Sequence, residues 1–191
     1  MFTKLFLDTK SICFAVEKFK FYVLIHHVSS KSEQAVGFFS KENLSWDENN
    51  LACILIFPPF QSQGLGQLLI EFSYQLSALD GKLGSPEKPL SEYGRKSYLL
   101  YWCTAIYRAL PYFEKEKSGN VSINDISMAT GIKQEDVVDA LKSMDALQKR
   151  NIEDSDEKLH WVVSKTNIEN WALKRKVKTR PLIDPNYILI S

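Results

Sequence analysis

Short apolar runs open the chain: LFL, ICFAV and FKFYVLIHHV lie between residues 5 and 28, divided by the polar turn Asp8-Thr9-Lys10 and by Glu17-Lys18. In the third run Phe19, Phe21, Val23 and Ile25 recur at every second position, the period of a half-buried strand. QAVGFFS predicts a further strand, and LACILIF a central one buried on both faces. Together they predict an antiparallel meander that ends in a buried strand.

At Leu65 the period changes. Leu65, Leu68, Leu69, Phe72, Leu76 and Leu79 fall on one helical face, and Gly81 supplies the stop. GKLGSPEKPLSEYG holds two prolines and three glycines and predicts a loop. Ser91 can cap the helix that follows, over about 92–110, which turns Leu99, Cys103, Ile106 and Leu110 inward. Around Ser118-Gly119-Asn120 the composition shifts. VSINDISMATGIKQEDVVDALKSMDAL then predicts a short helix, a turn at Gly131 and a second helix presenting Val137, Val138 and Leu141. KLHWVVS reads as a strand after the turn EDSDE, NIENWALKRK as a capped helix and YILIS as a terminal strand. Helix, turn, helix and strand in this order suggest a winged-helix-like module. The expected division is a core over 1–117 and a C-terminal region over 118–191.

Composition adds exclusions. In 191 residues, 45% hydrophobic and 25% charged, there is room for one substantial core and a smaller appendage. Basic residues number 24 against 23 acids, so a polyanion partner would need a local concentration of charge. KRKVKTR provides one: Lys174, Arg175, Lys176, Lys178 and Arg180 are candidates for DNA contact, with a solvated basic turn as the alternative. Cys13, Cys53 and Cys103 are odd in number and lack CxxC spacing, which argues against a disulfide framework or a cysteine zinc site and favours a reducing compartment. His26, His27 and His160 have no accompanying cysteine cluster, so no metal is expected in this chain. The apolar runs are too interrupted for a membrane span.

Candidate chemistry concentrates in LACILIFPPFQSQGLGQLLIEFSY. A strand feeding through PPFQSQGLG into a helix would put unpaired N–H groups at the positive end of the helix dipole, a natural anion site. Gly64 and Gly66 would let backbone approach a pyrophosphate, and Pro58 and Pro59 would stop the strand ladder beside it. An ordinary strand-turn-helix crossover has the same pattern, and the sequence lacks the dinucleotide GxGxxG fingerprint.

Several motifs in register carry a family resemblance. NLACILIFPPFQSQGLGQLLIEFSYQLS, followed by GSPEKPLS, resembles the catalytic core of MYST-type lysine acetyltransferases. The similarity begins at TKLFLDTKS and extends more loosely through VSINDISMATGIKQEDVVDAL; LFLDTKS and LACILIFPP look most like the family's silencing-associated yeast branch. The resemblance implies an α+β fold of the acetyl-CoA-dependent N-acetyltransferase (GNAT-like) kind, a central mixed sheet with flanking helices. It implies acetyl-CoA held by Ser62, Gln63, Gly64, Leu65, Gly66, Gln67 and Leu68 through main-chain amides. Ile54, Leu55 and Ile56 would line the pantetheine arm, with core packing as their other reading. Ser91 matches a coenzyme-contacting serine and is equally a helix cap.

Transfer to a lysine needs a base, because the amine is protonated at neutral pH. By position Glu87 matches the family's catalytic glutamate and Cys53 its active-site cysteine, which permits a covalent acetyl-enzyme route; direct attack within a ternary complex needs only Glu87, so Cys53 is read as auxiliary. The alternatives are a solvated Glu87 paired with Lys88 and a Cys53 that acts as a small core hydrophobe. Lys4 aligns with a lysine that family members acetylate on themselves. A histone tail, with H4 foremost, or the nucleosome, partner subunits of a small chromatin-modifying complex and a nuclear location are implied in the same way. Departures are informative: the family usually has Arg at Ser62, Tyr at Leu65 and often Lys at Gln67; Leu100 replaces a coenzyme-contacting serine, and the zinc-finger stretch that normally precedes KLFLD is not among these residues, as in a fragment of a longer protein or a short form. Rival readings are a winged-helix nucleosome-binding protein, disfavoured by Glu135, Asp136 and Asp139 on its would-be recognition helix, and a catalytically weak scaffold.

Overall fold

The computed structural model describes residues 16–29, 32–116, 121–151 and 159–189. Lys4, Cys13, the run LFL, the run ICFAV up to its last residue Val16, and the turn EDSDE lie outside them. β1 (Phe19–Ser29), β2 (Ser32–Glu42) and β3 (Cys53–Ile56) form an antiparallel sheet in that order, with Phe39 opposite Tyr22 on one side and Ile54 on the other. The meander is as expected, but its phase differs. Phe21, Val23 and Ile25 are 41%, 54% and 39% exposed. Tyr22 and Leu24 face the core instead, Tyr22 stacking on Phe39 at 4.7 Å between centroids.

The LACILIF strand is also shorter and less buried than predicted. Only Cys53–Ile56 pair with β2, and Ile54, Leu55 and Ile56 are half-buried. The proline pair explains the length, since Pro58–Phe60 already forms a 3-10 turn. The mixed character is likewise reduced. Parallel pairing among the described residues is confined to two isolated bridges, Leu51 with Pro86 and Gly84 with Ile132. Pro86 has no amide hydrogen, so a longer ladder cannot grow there.

α1 (Leu65–Leu79) lies between the sheet and α2 (Glu92–Glu116). Leu69 and Leu76 face the sheet with Phe39, whereas Ile70 and Tyr74 join the aromatic core of α2 made by Tyr98, Tyr101 and Trp102. A helix buried on both sides needs apolar residues around more than one stripe. Leu79 overshoots this core and is 59% exposed. Tyr74 accepts a hydrogen bond from the Trp102 indole at 2.6 Å, which lets both large rings be buried.

α3 (Ile123–Thr130) and α4 (Gln134–Ser143) follow the predicted pattern, with Gly131 at φ 70° between them and a Ser122–Asp125 capping box at the start of α3. β4 (Leu147–Asn151), unforeseen from its polar sequence QKRN, pairs antiparallel with β5 (Leu159–Val163). α5 (Lys165–Arg175) is capped by Ser164. Ile106, Ile126, Val137, Leu141 and Ile168 belong to one cluster, so α2 to α5 share a core. The expected terminal strand is not formed at 187–189: Asp184 caps the Asn186 amide at 3.0 Å and Pro185–Tyr187 turns as a 3-10 helix.

Candidate active site

The candidate site runs along β3, from the Ser85–Lys88 loop beside its entrance to the turn into α1 beyond its far end. Cys53 is the first residue of β3, opposite Ser40 and 7% exposed. Alternation along the strand puts Cys53 and Leu55 on one face and Ile54 and Ile56 on the other, where the latter two pack on the core. Beyond β3, Gln61 turns back to donate its amide Nε2–H to the Ile56 carbonyl at 2.8 Å.

The turn into α1 contains two left-handed residues, Ser62 at φ 61° and Gly64 at φ 81°. Gly64 is the N-cap and offers no side chain to the first amides of the helix. These amides are therefore available to an anion, with the dipole's positive end behind them. A Cβ built on Gly64 or Gly66 meets nothing within 4 Å, so open space lies over both. Ser62, Gln63 and Gly64 are exposed, and Leu65, Gly66, Gln67 and Leu68 half-buried. Gln67 donates its Nε2–H to the Ser97 carbonyl at 2.8 Å, tying α1 to α2. Ser91 acts as a cap: its Oγ accepts from the Gly94 amide at 3.0 Å.

Glu87 is half-buried in the loop between α1 and α2. Its amide donates to the Leu51 carbonyl at 2.8 Å, and the Asn50 amide donates to the Ser85 carbonyl at 2.9 Å. The loop thus runs beside the entrance to β3, two residues ahead of Cys53. Lys88, expected as Glu87's partner in the bland reading, instead donates to Asp136 at 2.8 Å and approaches Glu135 at 3.5 Å. Burial would lower the Lys88 ammonium pKa, but the hydrogen bond and charge of Asp136 outweigh it and leave it above its ordinary value.

Asp136, expected on the acidic face of its helix, is instead fully buried, with Ser85 Oγ donating to it at 2.7 Å. The available signal was its spacing, four residues before Ala140, on the inward stripe. Cys103 is a core thiol: burial pushes its pKa up to about 11, and it lies 3.2 Å from Ser143 Oγ. No group of three or more metal-ligating side chains occurs among the described residues.

The basic run is exposed, but its backbone is held. Arg108 donates to the carbonyls of Lys178 at 3.1 Å and Arg180 at 2.7 Å. Buried Glu71 pairs with Arg108 at 3.0 Å and accepts the amides of Leu182 and Ile183. Arg175 lies over the Trp171 ring.

A family model described as MOZ/SAS matches residues 1–188. The chain is 49% identical over 146 residues to the histone acetyltransferase Tip60 homolog of Caenorhabditis elegans, covering 76% of this chain and 32% of that protein. It is 44% identical over 151 residues to the histone acetyltransferase SAS2 of Saccharomyces cerevisiae, covering 79% of this chain and 44% of that one. With the histone acetyltransferase KAT6B of Mus musculus it shares 44% identity over 151 residues, 79% of this chain and 8% of the relative. The chain therefore spans less than half the length of these relatives. A match over nearly the whole chain, on a mixed α+β fold with the Glu87 loop beside the entrance to the Cys53 strand and the glycine turn after that strand, shows that it belongs to the MOZ/SAS family.

Proposed function

We propose that this chain is the catalytic part of an acetyl-CoA-dependent histone lysine N-acetyltransferase, with the H4 tail as acceptor and Glu87 as general base. The observation that carries the reading is the hydrogen bond from the Glu87 amide to the Leu51 carbonyl, which holds the carboxylate's loop against the strand leading to Cys53. Acetyl-CoA supplies an activated acetyl thioester. The open turn over Gly64 and Gly66 and the first amides of α1 suit its pyrophosphate, with Ser62, Gln63, Leu65, Gln67 and Leu68 in the surrounding turn. Ile54, Leu55 and Ile56 would edge the pantetheine arm, and Ser91 would add a contact beside its cap.

Glu87 would take a proton from the acceptor ammonium, giving the amine the lone pair that attacks the thioester carbonyl; the C–S bond then breaks, and coenzyme A leaves as a thiolate that takes up the proton lost by the nitrogen as the amide forms. Direct transfer requires no acyl-cysteine, so Cys53 is auxiliary in this scheme. Residues 1–117 would carry the coenzyme chemistry and 118–191, winged-helix-like, would serve substrate or partner binding. Lys4 would be a self-acetylation site. A nuclear location, silencing-related chromatin work and partner subunits are parts of the same reading.

The test is mass spectrometry of H4-tail peptide incubated with acetyl-CoA and wild-type, Glu87→Gln or Cys53→Ala chain. Glu87→Gln should lose about a hundredfold or more in rate, and Cys53→Ala less than about tenfold. Equal losses with a trapped acetyl-cysteine in wild type would reverse the ranking, and transfer undiminished in Glu87→Gln would remove the base assignment. No acetylation with partner subunits supplied would favour the scaffold reading.

A second reading is favoured by the Arg108 clip. Backbone held at Lys178 and Arg180 leaves the side chains of Lys174, Arg175, Lys176, Lys178 and Arg180 in solvent, suited to nucleosomal phosphates. DNA binding that weakens steeply with salt, and weakens further when these residues are neutralised, is the expected result.

A further inference from the structure

Asp136 is buried within α4, and the transfer chemistry gives its carboxylate no part. Both of its oxygens are engaged by one loop. Oδ2 accepts from Ser85 Oγ at 2.7 Å and Oδ1 from Lys88 Nζ at 2.8 Å. These donors bracket Glu87. The backbone repeats the arrangement: the Gly84 amide donates to the Gly131 carbonyl at 2.6 Å, and the Lys133 amide donates to the Gly84 carbonyl at 3.1 Å. On the opposite side lie the bonds from Asn50 to Ser85 and from Glu87 to Leu51. The loop is clasped between the entrance to β3 and the α3–α4 turn, and Asp136 is the charged member of the clasp.

Only Asp136 is buried, the Lys88 side chain being exposed, so desolvation of the carboxylate offsets a solvent-screened attraction and the value of the pair lies in geometry. It also holds the Lys88 ammonium at Asp136 on α4, one residue along the chain from Glu87. Burial pushes the Asp136 carboxyl above its ordinary pKa, against the opposing pull of Lys88 and Ser85.

We infer that Asp136 is a positioning residue for acetyl transfer, fixing the Ser85–Lys88 loop from α4 so that the Glu87 carboxylate meets the acceptor amine. The inference rests on Glu87 as base. It makes the C-terminal region a structural part of the catalytic centre.

The test compares Asp136→Asn, Ser85→Ala and Glu87→Gln by steady-state kinetics and by amide hydrogen exchange, which needs no activity. In Asp136→Asn the amides of Gly84 and Glu87 should exchange at least about tenfold faster, with α1 core amides unchanged. Its kcat should fall about tenfold or more while KM for acetyl-CoA stays within about twofold, because misplacement of a reacting group is read in kcat. Adding Lys88→Gln to Asp136→Asn should recover part of that kcat by removing an ammonium left with only its looser contact to Glu135 at 3.5 Å. If Asp136→Asn fails to fold, Ser85→Ala should give the same pattern at smaller size. Unchanged exchange at Glu87, or a uniform rise throughout α1 and α4 with kcat falling only as the folded fraction, would overturn the inference. Glu87→Gln separates the two claims: it should cut transfer about a hundredfold or more without altering exchange at position 87. Full activity in that variant would sink the base assignment, whereas the exchange result would still judge the clasp.

Discussion

The Glu87 amide donates to the Leu51 carbonyl at 2.8 Å, joining the loop after α1 to the segment that enters β3. Cys53 lies two residues further along that segment. One backbone bond therefore sets the spatial relation between the two groups assigned to transfer chemistry, and it leaves both side chains out of the bond. Everything that steadies residues 84–88 acts on this relation.

Gly84 is the tightest point of that loop. A Cβ there would come within 2.6 Å of Asn50 Nδ2 and 2.7 Å of the Tyr74 ring. Asn50 is buried and donates to Ser73 Oγ at 3.2 Å, and Tyr74 holds the Trp102 indole, so neither yields easily. Gly84→Ala should cost about 1–3 kcal/mol in urea unfolding. Acetyl transfer should fall by more than the lost folded fraction, because the overpacking pushes directly on the residues next to Glu87.

Glu71 and Arg108 give a second prediction. Glu71 is buried and Arg108 largely so, and between them they hold four backbone groups of residues 178–183. Arg108→Met leaves the carboxylate uncompensated and should destabilise by about 3 kcal/mol. The double change Glu71→Leu, Arg108→Met should restore part of that. In both variants, limited proteolysis at the basic run should speed up, because the apolar pair cannot hold the 178–183 backbone.

Periodicity made much of this architecture legible. The 65–79 and 134–143 helices, the Gly131 turn and the Ser91 cap follow from local pattern, since each is decided within a few residues. What the pattern could not supply was depth. Phe21 and Val23 read like core residues but face outward, because the choice between strand faces depends on where α1 docks. Asp136 read as surface charge because its partners, Ser85 and Lys88, are remote in sequence. Family motifs singled out Glu87 and Cys53; only the fold brings the loop of one against the strand of the other.

Acid should weaken the joint between β2 and α1. Lys41 donates to Asp80 at 2.9 Å, and this hydrogen bond, ahead of opposing desolvation, lowers the Asp80 pKa from its ordinary value. A depressed folded-state pKa means stability that is present above about pH 4 and is lost as pH falls through the lower folded value. Asp80→Asn should flatten the acid limb of Tm against pH below about 4. At neutral pH it should cost well under about 1 kcal/mol, since the pair is solvent-screened.

Ser62 offers the most direct test of the glycine turn. It is exposed, left-handed at φ 61°, and stands where the resembling family usually carries Arg. No basic residue occurs from 61 to 70, so an anion over the first amides of α1 would depend on backbone and dipole alone in this segment. Ser62→Arg keeps a non-glycine residue at the same positive φ, so stability should change little. Its added charge should tighten acetyl-CoA binding about three- to tenfold at low salt, and the gain should shrink toward 1 M salt as screening shortens. Ser62→Gly relaxes the backbone without adding charge and should show no comparable salt-dependent gain. Titration calorimetry of the three chains at two ionic strengths reads the difference. A Ser62→Arg variant that binds no tighter than wild type at low salt would place the coenzyme's phosphates away from this turn.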